Sequence, residues 1–464
     1  MFSINEIALA TGGRVTGQPD TTVSSVSTDS RSVAPGQLFV PLRGERFNGH
    51  DFIEEVASRG VTAVIAEEHW LKSHSIPDSI SCVAVKDTLK ALGNLAAEWR
   101  LHFDLPVIAV TGSNGKTTTK EMLATILQQT APGLKTFGNL NNLIGLPQMI
   151  FQLRENHSWA VLEMGMSEAG EINRLAEIAR PRVGIVLNAL PAHLQSMGTV
   201  EAVAAAKGEL LFRISDNGLA VVNADDSRVA SLSQNPSARR ISFGIDRGEV
   251  RAREIKPIGL TGQQFLLVTP KGEVSINLKV CGRHNVYNAL AAAAALLEKV
   301  ALSTIASGLE AFTPYTGRFQ VEQFGDITLI DDSYNANPAS IKAALETLSQ
   351  TVESGHRIAV LGDMLELGEQ EGEAHQAVGT IAGRNVDRLY LLGARMTGHA
   401  ERGALLSDMA PESIFSCSSH EDIVTLLNNS LQAGDVVLVK GSRGMTMEKV
   451  AMGLKKQKLK TKGE

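Results

Sequence analysis

Hydrophobic and polar positions divide the chain into short buried segments and longer amphipathic ones. Residues 107–110 are apolar and mostly β-branched, a run that is too short for a helix and typical of a buried strand in a parallel sheet. From Thr117 to Gln129 the apolar residues recur at helical spacing. The glycine-rich turn at 112–115 therefore lies where a strand leads into the N-terminus of a helix.

Similar alternation elsewhere predicts an α/β protein with three domains. Residues 1–82 contain strand-like segments around a helical one and predict a small α/β N-terminal domain. Residues 83–313 predict a central P-loop ATPase-like domain with a parallel sheet, extended by antiparallel strands between 241 and 280. In residues 314–464, four strand-like segments are separated by helix-length segments, which predicts a Rossmann-like doubly wound C-terminal domain.

Length and composition limit the class of partner. A chain of 464 residues is longer than one core accommodates, which agrees with several domains. The net charge of −6 offers no basic surface for nucleic acid or an anionic membrane, so we expect a small charged metabolite as the partner. No apolar run reaches transmembrane length and no signal segment begins the chain, which predicts a cytoplasmic protein. We expect a monomer because no exposed apolar stripe stands out.

The sequence contains three cysteines that lie far apart. An odd number at such distances indicates neither a disulfide framework nor a zinc site. We interpret Cys82, Cys281 and Cys417 as small core residues.

The turn at 112–115 and the residues after it form a phosphate-binding pattern. Glycines let backbone N–H groups approach a phosphate, and a helix N-terminus presents unpaired donors and the positive end of its dipole. Lys116 can reach the β- and γ-phosphates, and Thr117 offers a hydroxyl to Mg²⁺. The longer general pattern would have a glycine at Val110, so only the shorter form Gly112-x-x-Gly115-Lys116-Thr117 is present. These residues predict ATP-type phosphate binding.

Polar side chains also lie where other predicted strands of the central domain end. Glu163 ends a strand next to the phosphate loop, where an open α/β sheet places a Mg²⁺ ligand. His193 follows the next strand and is a candidate metal ligand. Lys207 lies in a largely apolar helix, where a lysine that extends its stem along apolar surface to reach water is the ordinary alternative.

Several asparagines and loop residues suit polar substrates, although each has a structural alternative. Asn139, Asn141 and Asn142 lie in a loop between glycines and either position a ligand or bond their own backbone. Asn285 and Asn288 share one helix face, which suits adenine contacts but also helix capping. The residues that suit a diphosphate or sugar nucleotide, and equally surface turns, are Thr28, Ser30, Arg31, Asn48 and His50.

In chain order, these residues and motifs resemble those of the Mur ligases of peptidoglycan synthesis. The resemblance covers essentially the whole chain, and the string Leu361–Gly368 adds to it. The segments that carry it are Thr111–Thr118, Gly138–Asn142, Glu163, His193, Lys207, His284–Asn288, Gly317–Arg318 and Asp331–Pro338.

The resemblance implies ATP-driven amide formation. The terminal carboxylate of a UDP-N-acetylmuramoyl-tripeptide would attack the γ-phosphate of ATP, giving an acyl phosphate and ADP, and the amine of D-alanyl-D-alanine would then displace phosphate. Positioning and charge neutralisation supply most of the catalysis in such phosphoryl transfer. The N-terminal domain would bind the UDP-sugar, the central domain would bind ATP, and the C-terminal domain would close over ATP and bind the dipeptide.

The resemblance also implies the catalytic and metal-binding residues. Those implied to be catalytic are Lys116, His193, Lys207 and Arg318. Two Mg²⁺ ions are implied, one held by Thr117 and Glu163 and the other by His193 and Lys207. Because an ammonium group cannot ligate a cation, Lys207 would be carbamylated.

The binding residues follow from the same resemblance. ATP contacts are implied for Thr111, Gly112, Ser113, Asn114, Gly115, Lys116, Thr117, Thr118, Asn285, Asn288, Arg318 and Asp332. Contacts with the UDP moiety are implied for Thr28, Ser30, Arg31, Asn48 and His50, with the peptidyl substrate for Asn139, Asn141 and Asn142, and with the dipeptide for Asn335 and Asn337.

Two other interpretations are weighed against this one. A folylpolyglutamate synthetase-like ligase shares the architecture but lacks a sugar-nucleotide domain, so the predicted domain at 1–82 argues against it. A nucleotide-binding switch would use ATP occupancy without ligation, and a separate domain that supplies Arg318 and Asp332 argues for an enzyme instead. The sequence leaves open whether the third residue of the peptide is diaminopimelate or lysine, and which base deprotonates the incoming amine.

Overall fold

Strands and packed helices occur throughout the part of the chain that the computed structural model describes, residues 1–44, 47–192, 194–350 and 355–461. Within these residues the strands form three large sheets and one two-stranded pairing. This mixed α/β architecture confirms the predicted fold class. No helix in the described ranges is both long enough and apolar enough to cross a bilayer.

The N-terminal part contains a five-stranded sheet in the order β2-β7-β6-β5-β4, parallel except for β2, while β1 and β3 pair separately. The elements are β1 (Phe2–Ser3), α1 (Ile4–Thr11), β2 (Arg14–Thr16), β3 (Thr22–Val23), β4 (Ser25–Ser27), β5 (Gln37–Phe39), α2 (Ile53–Ser58), β6 (Ala63–Glu67), α3 (Glu68–Leu71) and β7 (Ser81–Val85). Strand β7 therefore continues past the domain boundary that the sequence predicted at residue 82.

The central part contains a nine-stranded sheet in the order β16-β15-β14-β13-β12-β11-β8-β10-β9. Its strands are β8 (Val107–Thr111), β9 (Leu134–Lys135), β10 (Ala160–Glu163), β11 (Val183–Val186), β12 (Leu219–Asn223), β13 (Arg239–Gly244), β14 (Val250–Ile258), β15 (Gly262–Thr269) and β16 (Gly272–Leu278). Its helices are α4 (Thr88–Arg100), α5 (Lys116–Gln128), α6 (Gly145–Ile150), α7 (Glu171–Ala179), α8 (Leu194–Met197), α9 (Val200–Phe212), α10 (Ser227–Ala230), α11 (Arg283–Leu296) and α12 (Leu302–Ala311).

Strand β8 is buried on both faces, as its continuous apolar run predicted. Val107 and Ala109 pack with helices α4, α6, α7 and α9, whereas Ile108 and Val110 pack with α5, α11 and α12 on the opposite face. The antiparallel extension predicted between 241 and 280 is present as β14, β15 and β16. Strand β13 is the exception, because it pairs parallel to β12.

The C-terminal part contains a six-stranded sheet in the order β17-β18-β22-β19-β20-β21, parallel except for β17. The elements are β17 (Gln320–Phe324), β18 (Ile327–Asp332), α13 (Pro338–Ser349), β19 (Arg357–Gly362), α14 (Glu371–Asn385), β20 (Arg388–Leu392), α15 (Glu401–Leu405), β21 (Ile414–Cys417), α16 (His420–Ser430), β22 (Val436–Lys440) and α17 (Glu448–Thr461). Helices α13 and α14 cover one face and α16 and α17 the other, so the doubly wound prediction is confirmed.

All three cysteines are buried and unpaired, in agreement with their interpretation as core residues. Cys82 lies in β7, Cys281 just before α11, and Cys417 at the end of β21.

Candidate active site

A cleft of about 860 Å³ lies between the central and C-terminal parts of the chain. It opens at the carboxyl ends of parallel strands, where ligands bind in open α/β sheets. The predicted site residues that line it are Ser113, Asn114, Gly115, Lys116, Thr117, Thr118, Asn139, Asn141, Asn142, Glu163, Lys207, Asn285, Asn288, Arg318, Asp332, Asn335 and Asn337. His193 lies outside the described residues.

The phosphate loop runs from the end of β8 into the first turn of α5. Gly115 precedes the helix with a φ of +87°, a left-handed conformation that favours glycine. A side-chain carbon at Gly115 would lie 2.2 Å from the Oδ1 of Asn288, so the position also needs the space that glycine leaves. Thr111 lies beneath the loop, where its hydroxyl donates to the carbonyl of Met164 at 2.9 Å. Thr111 therefore supports the loop and does not line the cleft.

Lys116 lies over the phosphate loop. Its Nζ donates to the Gly112 carbonyl at 2.7 Å. Burial lowers the pKa of Lys116, and the nearby charge of Glu163 opposes this shift. The ammonium therefore lies above the loop whose backbone a phosphate would contact.

Glu163 is 3% exposed, and both of its carboxylate oxygens accept hydrogen bonds. One accepts from the Thr117 hydroxyl at 3.0 Å and the other from the Asn141 amide at 2.9 Å. Arg318 reaches the same place from the C-terminal part and donates to the Thr117 hydroxyl at 3.3 Å. One carboxylate, one hydroxyl and the oxygens of a substrate phosphate form a typical Mg²⁺ ligand set, so these residues fit that ion.

Lys207 lies in α9 and is 2% exposed. Burial lowers its pKa to about 7, and the positive charge of Lys116 adds to this effect. Among the described residues, no carboxylate lies within ion-pair distance of its Nζ. The side chain therefore does not extend to water, and as an ammonium it does not fit a metal site.

Asn285 and Asn288 lie near the start of α11, which begins at Arg283. Asn288 donates to the Oδ1 of Asn285 at 3.2 Å, and Asn285 donates to the Cys281 carbonyl at 2.8 Å. Gly282 precedes the helix, and neither asparagine side chain caps it. The two residues share one buried face beside the phosphate loop.

Asp332 ends β18, and both of its carboxylate oxygens have partners. Oδ2 accepts from Lys440 at 2.6 Å, and Oδ1 accepts from the backbone of Phe319 at 3.1 Å. Lys440 is 2% exposed, and burial lowers its pKa while Asp332 opposes the shift. Lys440 also donates to the Asn335 carbonyl at 3.0 Å and so positions the loop that follows Asp332.

Asn114 of the phosphate loop and Asn337 of the C-terminal part form a reciprocal pair across the cleft. Asn337 donates to the Oδ1 of Asn114 at 2.7 Å, and Asn114 donates back at 3.2 Å. Asn337 also caps α13 by accepting from the backbone of Ser340. The amide pair thus joins two parts of the chain that the sequence assigned to different ligands.

The sequence analysis missed several lining residues, and three of them contact predicted site residues: Lys440, Asn188 and Tyr334. Lys440 ends an apolar strand, and Asn188 lies just after another. Glu163 was predicted from its place at the end of a strand, and the same reasoning would have found both residues. The side chain of Asn188 bonds both the N–H and the carbonyl of Asn114. Tyr334 stacks on Arg318, whose guanidinium carbon lies 4.0 Å from the ring centroid.

The predicted residues of the N-terminal part do not line this cleft. Thr28 accepts from Gln148 of α6 at 2.8 Å, so it lies where the N-terminal and central parts meet. Arg31 is exposed and forms a bidentate pair with Asp29, whose pKa this pair lowers to about 2. The Ser30 carbonyl accepts from Arg59 at 2.7 Å.

His50 is the one predicted substrate residue whose side chain is fully buried. Its Nε2 accepts from the backbone of Glu67 at 3.0 Å, and its Nδ1 bonds the Oδ1 of Asn48 at 2.8 Å. With both ring nitrogens engaged, the imidazole joins the loop to β6. The contact of His50 with the UDP moiety stays a prediction.

Comparisons with known families cover most of the chain. Residues 22–100 match the family described as "Mur ligase family, catalytic domain", residues 110–296 match "Mur ligase middle domain", and residues 317–443 match "Mur ligase, glutamate ligase domain".

Individual relatives match over nearly the full length. The UDP-N-acetylmuramoyl-tripeptide--D-alanyl-D-alanine ligase of Escherichia coli (strain K12) is 36% identical over 443 residues, which are 94% of each chain. A crystal structure of MurF from Acinetobacter baumannii is 34% identical with a TM-score of 0.90 and covers 98% of this chain and 99% of its own. The MurF ligase of Thermotoga maritima, solved in complex with ADP, is 28% identical with a TM-score of 0.83, over 95% of this chain and 99% of its own.

Proposed function

The chain belongs to the Mur ligase family, and we propose that it catalyses the reaction for which its relatives are named. That reaction joins D-alanyl-D-alanine to UDP-N-acetylmuramoyl-tripeptide, driven by ATP, and gives the UDP-linked pentapeptide of peptidoglycan synthesis. The protein is thus an ATP-dependent, amide-bond-forming ligase that acts on small molecules.

One observation carries this proposal. Lys116, the Thr117–Glu163 pair and Arg318 converge on one cleft although they come from two parts of the chain. The Nε of Arg318 is buried and has no acceptor among the described residues, which suits a phosphate oxygen as its partner. A cleft with these donors favours transfer of a phosphoryl group more than mere nucleotide storage.

The first chemical step follows from this arrangement. A carboxylate oxygen of the tripeptide attacks the γ-phosphorus of ATP, the bond to the β,γ-bridging oxygen breaks, and ADP leaves with the electron pair. Lys116 and Arg318 neutralise the charge that develops on the phosphate oxygens. Contact between the C-terminal part and the phosphate loop excludes water, which would otherwise hydrolyse the acyl phosphate.

Mg²⁺ is part of the proposal. Thr117 and Glu163 would hold one ion, which supplies charge neutralisation at the phosphate oxygens when bound. A second ion would need Lys207 and His193, and of these only Lys207 lies in the described residues.

We propose carbamylation of Lys207 for the second site. The depressed pKa leaves about half of the amine unprotonated near neutral pH, and the unprotonated form adds to CO₂ with loss of one proton. The product is a carbamate, an anionic oxygen ligand. We expect Lys207→Ala to lose roughly 10²-fold or more in activity, with partial recovery in a small carboxylate such as acetate.

A labelled-carbon experiment checks the carbamate directly. Protein exchanged into ¹³C-bicarbonate should show one carbamate resonance that disappears in Lys207→Ala. Full activity of that variant, or a spectrum identical to that of the wild type, would disprove the modification.

The remaining predicted residues keep their sequence-based roles as proposals. Thr28, Ser30, Arg31, Asn48 and His50 would contact the UDP moiety, and the asparagine loop at 139–142 would contact the peptidyl substrate. Asn335 and Asn337 would receive the dipeptide. We also propose a cytoplasmic location, with which the use of ATP agrees, and a monomeric state, which sedimentation tests.

Phosphate release from ATP tests the whole proposal. The purified protein is incubated with ATP and UDP-N-acetylmuramoyl-tripeptide, with and without D-alanyl-D-alanine. The mass of the nucleotide-linked product is then measured by mass spectrometry. Dipeptide-dependent release with a pentapeptide product is expected. An ATP hydrolysis rate that does not depend on either substrate would favour the nucleotide-binding switch. Product formed only with a folate and glutamate would favour the folylpolyglutamate synthetase-like ligase.

A further inference from the structure

The loop that follows β22 brings to the cleft an arginine that the proposed mechanism does not use. Arg443 lines the cleft, and its side chain is 60% exposed. Among the described residues, its guanidinium forms one hydrogen bond, from Nη1 to Glu448 at 3.1 Å. A guanidinium has five N–H donors in a planar fork, and a partly exposed ion pair contributes little to stability. Arg443 therefore has the donors to bind a second anion.

The backbone at Arg443 is held against the loop that follows β18. The N–H of Arg443 donates to the Oδ1 of Asn335 at 3.2 Å, and the hydroxyl of Ser442 donates to the carbonyl of Ala336 at 3.2 Å. Lys440 adds its bond to the Asn335 carbonyl at 3.0 Å. The side chain of Arg443 therefore starts from a backbone that is fixed beside a predicted dipeptide contact.

Tyr334 lies between Arg443 and the phosphate-binding side chains. The guanidinium carbons of Arg318 and Arg443 lie 4.0 and 5.7 Å from the centroid of the Tyr334 ring. Arg318 is the residue that the proposed mechanism places at the transferred phosphoryl group. An extended dipeptide spans at most about 7 Å. A dipeptide whose terminal carboxylate lies at Arg443 therefore has its amine within reach of an acyl phosphate held at Arg318.

The other lysines and arginines of the cleft lining have other partners or roles. Those already described are Lys116, Lys207, Arg318 and Lys440. Arg228 lies in α10 of the central part and pairs with Glu201 at 2.8 Å. Arg443 differs from Arg228 because it belongs to the C-terminal wall and contacts Asn335.

We propose that Arg443 binds the terminal carboxylate of the incoming dipeptide, an inference that rests on the proposed ligase function. Arginine binds a carboxylate through two parallel N–H···O bonds, which fix its direction as well as its distance. With the carboxylate at Arg443, the amine is the end of the dipeptide that faces the acyl phosphate. Arg443 thus selects a free terminal carboxylate and orients the dipeptide for attack.

D-Alanyl-D-alaninamide tests this role, because it keeps the amine and both methyl groups but lacks the negative charge. We expect the wild type to prefer D-alanyl-D-alanine over this amide by roughly 30-fold in kcat/KM, mostly through KM. Arg443→Gln keeps a hydrogen-bond donor but lacks the positive charge, so its preference should fall to within about threefold. Its kcat/KM for the amide should stay within about threefold of wild type, and Arg443→Lys should recover part of the preference.

Arg228→Gln is the matched control, because Arg228 also lines the cleft and also pairs with a carboxylate. It should keep the wild-type preference for the carboxylate. A wild type that uses both dipeptides equally well would overturn the inference. Equal losses for both dipeptides in Arg443→Gln, or an equal fall in preference in Arg228→Gln, would also overturn it.

Hydroxylamine separates this inference from the proposed function. It is largely unprotonated at neutral pH, so it traps the acyl phosphate as a hydroxamate without the dipeptide. We expect Arg443→Gln to form hydroxamate from ATP and UDP-N-acetylmuramoyl-tripeptide at a rate within about threefold of wild type. Loss of hydroxamate in this variant would place Arg443 in the first step and contradict the inference. If the wild type itself formed no hydroxamate, the proposed function would fail instead, so the two failures are distinguishable.

Discussion

Lys207 and Lys440 are both lysines with only 2% of their surface exposed, but their surroundings differ. Lys440 has the carboxylate of Asp332 at 2.6 Å, whereas Lys207 has no carboxylate within ion-pair distance among the described residues. A buried ammonium without a partner is destabilising, and the group loses its proton more readily. The same residue type thus has an ion-pair partner at one position and, among the described residues, none at the other.

Removal of Lys207 should stabilise the fold. Its pKa is about 7 in the folded chain and near 10.5 when unfolded, so between these values the unfolded chain binds more protons and stability rises with pH. Below about pH 7 the amine is protonated in both states, so the full free-energy cost of burying the ammonium of Lys207 is present. In metal-free, CO₂-depleted buffer near pH 6, Lys207→Met should therefore unfold at a higher urea concentration. Its free energy of unfolding should exceed that of the wild type by roughly 2 to 4 kcal/mol. The difference in the free energy of unfolding between the variant and the wild type should shrink as the pH approaches the pKa of free lysine. A difference that grows with pH would contradict the burial argument.

Removal of Lys440 should do the reverse. Lys440→Met leaves the carboxylate of Asp332, whose side chain is 14% exposed, without its ion-pair partner, and we expect a loss of about 3 kcal/mol in urea unfolding. The double variant Lys440→Met/Asp332→Asn should regain most of this stability. It should not regain the wild-type KM for ATP, because Asp332 is a predicted ATP contact. Lys455→Met is the control, because its pair with Glu322 is partly exposed and should contribute less than about 1 kcal/mol. Equal losses in the two single variants would argue against a special role for the buried pair.

The strand, glycine turn and helix at 107–128 form the element on which the site depends, and this element was readable from sequence. Its apolar run, its glycines and its helical spacing are local features that tertiary context left unchanged. The spacing of Asn285 and Asn288 was equally readable, because helix geometry alone puts them on one face. The geometry around Gly115 could not be predicted from the sequence, because the close approach of Asn288 depends on how α11 packs against α5.

A side chain at Gly115 should weaken nucleotide binding more than it weakens the fold. Gly115→Ala combines a left-handed φ with a clash against Asn288, so we expect at least a tenfold rise in the Kd for ADP, or about 1.4 kcal/mol. Gly170→Ala is matched, because Gly170 has a φ of +88° at the start of α7 but no atom within 4 Å of the added carbon. It should cost about 1–2 kcal/mol of stability and leave ADP binding unchanged in calorimetry. Equal ADP affinity in both variants would show that the clash with Asn288 is relieved at little cost.

Other elements could not be predicted because their signals are not local. Strand β21 is short and mostly half-exposed at the edge of its sheet, so it lacks a continuous apolar run. Strand β13 pairs parallel to β12, and strand direction depends on a crossover that no residue pattern reveals. His50 has the polar loop neighbours of a ligand residue, but only the packed structure shows that both ring nitrogens are engaged.

At the scale of the whole molecule, the cleft is assembled from contacts between parts of the chain. The Asn114–Asn337 pair, the bond from Arg318 to Thr117 and the contact of Glu366 with Gln195 all cross it. The first two involve residues that the proposed function assigns to ATP binding. We therefore expect the side chains of Asn114 and Arg318 to couple nucleotide binding to closure of the cleft.

Loss of the asparagine pair should open the molecule. Asn114→Ala removes both amide bonds but leaves the cap that Asn337 provides to α13. With saturating ADP we expect a larger radius of gyration in small-angle scattering and a several-fold higher KM for ATP. Asn385→Ala, which removes an amide bond within α14, should change neither quantity. A scattering curve identical to that of the wild type would mean that the pair does not hold the cleft closed.

The buried cysteines bear on how such motion can be observed. Burial raises the pKa of Cys82 to about 11 and that of Cys281 to about 12, and it raises the pKa of Cys417 as well. Because thiolates are the species that react with maleimides, the native thiols are poor targets. A cysteine introduced on each side of the cleft would then take a fluorescent dye selectively, so the swing of the domains can be timed in single molecules without first replacing the three native cysteines.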